Sequence, residues 1–390
     1  MPVDALRIAY LCDMSPLNRT LYSGGNARIF DALGKHAGEV TILPQSWGLA
    51  EPLRRVIHAM PEPVTLRARW RAHFAARRLI ARRVEADLLR GGYDVVFGAY
   101  ALHAMAGLRV PDGMVSAFTS DATQTVYRLS EVGQAHGRKF AFGALLDNWV
   151  ERLERETLRR IDLLLWPSDW LSSASQLRYG TEPDRNHLVP WGANIVAVPP
   201  PEPRQLSRAR PVHLLVLGRD WFAKGGATAF DTMMTLRGQG VDARLTVIGC
   251  VPPAFHRNDH VTVHPQLDKS VPDELGVFDA ALAQAHFMVM PSFESYGFAF
   301  CEAAAYGLPA LCLRVGGVPV RDGITGHALP PGSGVEQFAA RIFDYLDAPE
   351  RYAQLSASAR SEYENRLNWD AWGAQTAQLL REAVARKRGG

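Results

Sequence analysis

Two carboxylates eight positions apart, Glu294 and Glu302, bound the run Glu-Ser-Tyr-Gly-Phe-Ala-Phe-Cys-Glu, with Gly297 between them. An apolar run over 286–291 precedes them, and an alanine-rich run over 302–306 follows. Read as strand, turn and helix, this spacing puts Glu294 in the turn and Glu302 about one turn into the helix. Both then face the crevice beyond the carboxyl edge of a parallel sheet, where α/β proteins bind ligands. Gly297 lets the backbone approach a ligand closely, and the helix start offers unpaired N–H donors to an anion. A capped surface helix with an acidic first turn explains the same residues, and the segment alone does not separate the two.

The run from Leu217 to Gly226 carries cations instead. Arg219 and Lys224 sit five apart in a glycine-bounded loop, after a strand-like segment that ends near Gly218. A planar fork and a point charge together suit a diphosphate, each charge-assisted bond contributing about 1.5–3 kcal/mol. A solvated basic loop is the alternative. Ser23-Gly24-Gly25-Asn26 opens a helix after the first strand. Paired glycines there admit a phosphate or sugar close to backbone N–H groups, although glycine at such a turn also has plain steric uses. A third glycine-rich stretch, 314–319 with 321–326, follows the strand after Glu302 and would line the same crevice.

The elements that must position these groups alternate between strand-like and helix-like. Strands are expected near 6–12, 39–43, 93–97, 114–118 and 162–166, with helices near 25–37, 66–90, 140–160 and after Ser168. Four prolines between 199 and 203 then interrupt the pattern and make 196–211 a stiff linker. The alternation restarts with strands 212–217, 243–248, 261–264, 286–290 and 309–313. Helices 225–238, 272–285, 299–306 and 334–347 lie between and after them. Two similar α/β halves around a hinge predict two Rossmann-like domains facing each other across a cleft.

Bulk composition agrees. A chain of 390 residues is long for one core and natural for two domains. With 47% hydrophobic residues and a mean hydropathy of −0.10 it is globular in type, and a net charge of +3 argues against nucleic acid as a partner. The four cysteines lie apart in or beside apolar runs without a Cys-x-x-Cys pair, as buried thiols do; neither disulfides nor a metal site are expected. The start lacks a signal-peptide pattern and no run approaches the ~20 apolar residues of a membrane span, which predicts a cytoplasmic protein. Charge is uneven, however. Eight arginines against two acids between Arg67 and Arg90 make a local +6, leaving −3 for the rest. Leu66, Trp70, Phe74, Ile80, Val84 and Leu88 fall on one stripe of a helix with most arginines opposite. Such a helix either packs its stripe and solvates its arginines or docks on an anionic membrane surface. His103 reads as a packed helical histidine.

Taken in order, these motifs resemble the retaining family-4 glycosyltransferases of GT-B fold over nearly the whole chain. The matching residues are Ser23-Gly24-Gly25 with the segment to Thr41, then Trp166–Trp170 and Val189–Asn194. Gly218-Arg219 with Lys224-Gly225, Pro291–Glu294, Gly297, Glu302 and Gly307–Pro309 match the Glu-x7-Glu region. Gly316–Pro319, Asp322–Gly326 and Arg366–Trp369 complete the set. The resemblance implies an N-terminal acceptor-side domain over 1–195 and a nucleotide-sugar domain over 212–365. It also implies a C-terminal helix within 366–390 that returns to the first domain. A nucleotide-diphosphate sugar would be the co-substrate, with neither cofactor nor metal, and a saccharide, lipid-linked or small molecule would be the acceptor. By family role Arg219 and Lys224 hold the diphosphate, Glu302 accepts from the ribose and Glu294 contacts the donor sugar. The backbone N–H groups of Gly297, Phe298 and Ala299 approach sugar and phosphate, and Gly24, Gly25 and Gly218 line the donor site. Retention of configuration and cell-envelope or glycolipid synthesis come from the resemblance alone. Placement on the inner membrane face is an expectation of the basic helix 66–90 itself. One departure stands out: the chain has Ser120-Asp121 where many members carry a histidine. Asp121 then either positions substrate or caps the following segment. Another GT-B activity, an epimerase or phosphorylase, and a non-catalytic sugar-nucleotide-binding subunit are the rival expectations.

Overall fold

The computed structural model describes residues 5–44, 51–59, 62–136, 144–195, 197, 200 and 203–389. Side chains are described over the same residues except 57–58, 62–70, 135–136 and 144–145. The side chains of Leu66, Arg67, Arg69 and Trp70, the start of the helix expected at 140, and 196, 198–199 and 201–202 of the linker therefore lie outside the description. The chain divides into two units, Met1–Trp191 with Trp369–Gly390, and Gly192–Asn368.

The first unit holds six parallel strands among the described residues. They are β1 (Leu6–Leu11), β2 (Gly38–Ile42), β3 (Val95–Ala99), β4 (Val115–Thr119), β5 (Leu163–Trp166) and β6 (Asn186–Leu188). Their order is β2-β1-β3-β4-β5-β6. β3, β4 and β5 are buried throughout, which is why β3 and β5 read as unbroken apolar runs: helices cover both faces of such a sheet. The order reverses between β1 and β3, which makes that the switch point of this sheet. The basic helix spans Glu62–Gly91. Phe74, Ile80, Val84 and Leu88 are buried in it, while Arg78, Arg82, Arg83 and Arg90 are exposed. The helix Trp369–Gly389 belongs to this unit and packs on the helix Gly25–His36. Arg381 donates to the His36 carbonyl, Lys387 pairs with Asp162 at 2.7 Å and Arg388 pairs with Asp94.

The second unit repeats the design. β7 (Val212–Leu217), β8 (Ala243–Ile248), β9 (Val261–His264), β10 (Phe287–Met290), β11 (Ala310–Leu313) and β12 (Gly326–Leu329) are all parallel. They lie in the order β12-β11-β10-β7-β8-β9, the arrangement of a dinucleotide-binding sheet with its switch point between β7 and β10. Its core runs from Leu214 and Val216 through Phe287 and Val289 to Phe338 and Tyr352. Arg204, in the segment leading to β7, donates to the carbonyls of Leu282, Ala285 and Tyr306 and ties that segment to this unit. None of the four cysteines is in a disulfide, and all are buried. Among the described residues no helix is long and apolar enough to cross a membrane.

Candidate functional site

At the β7/β10 switch point the expected charges meet. The loop after β7 turns back on itself, with Lys224 N donating to Asp220 O at 3.0 Å and Asp220 Oδ1 accepting from Ala223 N at 2.8 Å. Gly225 leaves the loop at φ 71°, and a Cβ there would stand 2.5 Å from the Pro291 ring. The absent side chain thus lets the β7 loop lie against the β10 loop. Gly218 sits under the Lys224 stem, where a Cβ would meet Cγ at 2.5 Å. Lys224 Nζ consequently reaches Glu294 Oε1 at 2.5 Å, and Ser292 Oγ donates to the same oxygen at 2.9 Å. Both side chains are largely shielded, 27% and 16% exposed, so water screens this pair less than a surface one. Arg219 is exposed and has no hydrogen bond or ion pair among the described residues.

Glu302 lies one turn into the helix Phe298–Ala305, as its spacing requires, and is buried. Its Oε1 accepts from Lys269 Nζ at 2.9 Å. The same ammonium lies 3.4 Å from Asn194 O and 4.0 Å from the centre of the Phe278 ring. Lys269 is therefore part of this site. From sequence, Leu267-Asp268-Lys269 reads as a loop that could set base or hexose selectivity, but no spacing rule ties Lys269 to a carboxylate 33 positions on. Gly297 caps the helix at φ 89°, and a Cβ there would stand 2.8 Å from the Phe300 ring. The Phe298 and Ala299 amides begin this helix at the switch point, where the helix dipole favours an anion. The loop after β11 joins the group, Gly317 N donating to Ser295 O at 3.0 Å. Phosphate and sugar hydroxyls are the chemistry that this set of cations, carboxylates and amides can bind.

Gly24, Gly25, Ser120 and Asp121 belong to the first unit, at the carboxyl ends of β1 and β4. Gly24 is left-handed at φ 85° and Gly25 begins the helix to His36. Ser120 is buried and donates to Ala122 O at 2.8 Å. The cap of the following helix, Gln124–Leu129, is Thr123, whose side chain accepts from Val126 N at 3.2 Å. Thr123, and not Asp121, is therefore the side chain that caps this helix. His103 is buried in the short helix Leu102–Met105 with its ring 4.2 Å from that of His73, as a packed histidine.

Comparison with known proteins places this geometry. Residues 211–348 match the family described as Glycosyl transferases group 1. The chain is 27% identical to a D-inositol 3-phosphate glycosyltransferase of Corynebacterium glutamicum (strain R), over 75% of this chain and 73% of that one. It is 25% identical to an MMP alpha-(1->4)-mannosyltransferase of Mycolicibacterium hassiacum, over 87% and 79% of the two chains. In fold it resembles the sucrose-phosphate synthase of Thermosynechococcus elongatus at a TM-score of 0.62, with 19% identity over 98% of this chain and 100% of the other. The matched family segment contains Arg219, Lys224, Lys269, Glu294 and Glu302. The chain is a glycosyltransferase of GT-B fold, and its residues 211–348 match the group 1 glycosyl transferase family.

Proposed function

We propose that the chain transfers a hexose from a nucleotide-diphosphate sugar to a hydroxyl acceptor with retention of configuration, and that it does so without a metal ion. The observation that carries the donor reading is the contact between Lys224 and Glu294 at the β7/β10 switch point. An incoming diphosphate competes with Glu294 for the ammonium, and Arg219 supplies the second cation. The carboxylate so released accepts from a donor-sugar hydroxyl, while Glu302, held by Lys269, accepts from the ribose. As transfer proceeds, the acceptor oxygen bonds to the anomeric carbon and the bond from that carbon to the diphosphate oxygen breaks. The diphosphate takes the bonding pair and finally the acceptor proton. Arg219, Lys224 and the amides from Gly297 to Ala299 face the charge that grows on the leaving group. Losing one such donor costs about 10²–10³ in rate.

A polysaccharide or glycolipid of the cell envelope, made on the cytoplasmic side, fits this reading. The exposed Arg78, Arg82, Arg83 and Arg90, together with Leu89 at 75% exposure, offer a surface for an anionic membrane. The decisive test is calorimetry of UDP, GDP, ADP and TDP and their sugar conjugates, without metal, on the wild type and on Glu302→Ala and Lys224→Ala. One nucleotide should bind, weakened in Glu302→Ala. Lys224→Ala should lose turnover by about two orders of magnitude. Unchanged turnover in Lys224→Ala would remove the proposed phosphate role.

A further inference from the structure

The first unit has a pocket at the amino edge of its sheet, opposite the carboxyl ends where doubly wound sheets take their substrates. It lies where β4 and β5 begin. Its walls come from the chain after the short helix Leu102–Met105, the end of the helix Ala144–Leu158 and the last turn of the helix Trp369–Gly389. The volume is about 330 Å³, at the lower end of the range for small-molecule sites. Met105, Leu108 and Ile161 supply a buried apolar wall. Arg109, Arg160 and Lys387 line the pocket too, beside Asp162, the one carboxylate among its lining residues.

Three cations against one carboxylate leave a surplus of two positive charges, and that carboxylate is already engaged. Asp162 Oδ2 accepts from Ser116 N and Ser116 Oγ, both at 2.8 Å, and Asp162 N donates to Ser116 Oγ at 3.0 Å. This clasp fastens the start of β5 to β4 without help from Lys387, whose ammonium adds a third donor at 2.7 Å. Both partners of that ion pair are about one-third exposed, 34% and 32%, so it is screened and contributes little. Lys387 can therefore turn to a ligand and leave Asp162 hydrogen-bonded. Arg160 donates to Glu156 O at 2.9 Å and to Ala106 O at 3.4 Å. It thereby covers carbonyls at two helix ends, where the helix dipole would otherwise repel an anion. No carboxylate pairs with it among the described residues. Arg386, Lys387 and Arg388 likewise offset the carbonyl end of their own helix. The Arg109 side chain is exposed and has no hydrogen bond or ion pair among the described residues. Glu85 holds the Arg109 backbone N–H at 2.8 Å and is not among the groups that line the pocket.

We propose that this pocket is a second ligand site, separate from the donor site, and that it takes a phosphomonoester carried on a small apolar body. The body lies against Met105, Leu108 and Ile161. Arg109 offers the phosphate a planar fork and Lys387 a point charge, which ties the last turn of the helix Trp369–Gly389 to the chain before β4. A dianionic phosphate matches the surplus of two charges, whereas a neutral alcohol or sugar leaves it unmet. At the amino edge of the sheet, the ligand competes with nothing bound at the carboxyl edge of either unit. The site stands independently of the sugar-transfer reading.

Phenyl phosphate is the probe, titrated by calorimetry into the full chain carrying Arg219→Ala and Lys224→Ala, which removes the donor-site cations. One binding site should remain. On that background Arg109→Ser and Lys387→Gln should each weaken binding about tenfold or more, as the loss of a charge-assisted hydrogen bond does. Lys387→Arg should recover part of the loss, and Arg82→Ser, on the exposed face of the basic helix, should change nothing. Phenyl phosphate should bind severalfold more tightly than inorganic phosphate, and phenol should not bind. Denaturant unfolding of the first unit should move to higher midpoints with phenyl phosphate only in the chains that bind it. No binding, an equal loss in Arg82→Ser, or unchanged affinity in both Arg109→Ser and Lys387→Gln overturns the site. Equal affinity for phenyl and inorganic phosphate overturns the ligand class. Flotation with phosphatidate vesicles separates the two sources of such a group: loss in Arg109→Ser assigns a lipid headgroup, and unchanged flotation assigns a soluble phosphomonoester.

Discussion

Replacing Glu154 by glutamine should change the pH dependence of stability in a way that can be worked out beforehand. Glu154 sits on the helix Ala144–Leu158 of the first unit and is 1% exposed. Its Oε2 accepts from Tyr179 OH at 2.8 Å and its Oε1 from Thr125 N at 3.3 Å. Burial, only partly offset by these bonds, pushes the carboxyl from 4.5 up to about 7. The folded chain then holds the proton more tightly than the unfolded one. Stability from this group is full below pH 4.5 and is lost as pH rises through 7. At about 1.4 kcal/mol per pH unit, the whole effect is about 3 kcal/mol. Linkage places about 2 kcal/mol of it between pH 5.5 and 8.5. Glutamine keeps an acceptor for Tyr179 and cannot ionise, so Glu154→Gln should lack this loss. Denaturant unfolding followed at several pH values, on the transition of the first unit, measures the difference. Parallel curves for wild type and Glu154→Gln would refute the reasoning, because a buried carboxyl that titrates normally contributes no such slope.

Other perturbations have equally definite outcomes. Lys269→Met should weaken nucleotide binding tenfold or more by leaving the buried Glu302 without its cation, while Lys269→Arg should recover part of the loss; calorimetry decides. Gly297→Ala must adopt φ 89° and displace the Phe300 ring, so a loss of about 1–3 kcal/mol with weaker nucleotide affinity is expected from denaturation and titration together. Charge reversal of Arg78, Arg82 and Arg83 should abolish salt-sensitive flotation with anionic liposomes and leave nucleotide binding untouched; equal flotation of both proteins would remove the membrane proposal.

Much of this protein is legible in its sequence, for identifiable reasons. β7, β8 and β9 occupy 212–217, 243–248 and 261–264, where runs rich in Val, Ile, Leu and Thr between turn residues predict them. Glu294 and Glu302 read as turn and helix because strand, glycine and alanine-rich run set their phase. β6 and β12 are three- and four-residue edge strands with no periodicity of their own, and pairing with β5 and β11 creates them. The helix Pro349–Asn365 carries a stripe of Tyr352, Leu355, Ala359 and Tyr363, yet its low hydrophobicity hides it among polar residues. Partnership was decided by tertiary structure alone. Lys269 meets Glu302, Lys224 meets Glu294, and Tyr22 stacks on Tyr100 across 78 residues because strand order places their loops together. Local sequence encodes the phase of each element, whereas which loops become neighbours depends on the order in which the whole sheet assembles.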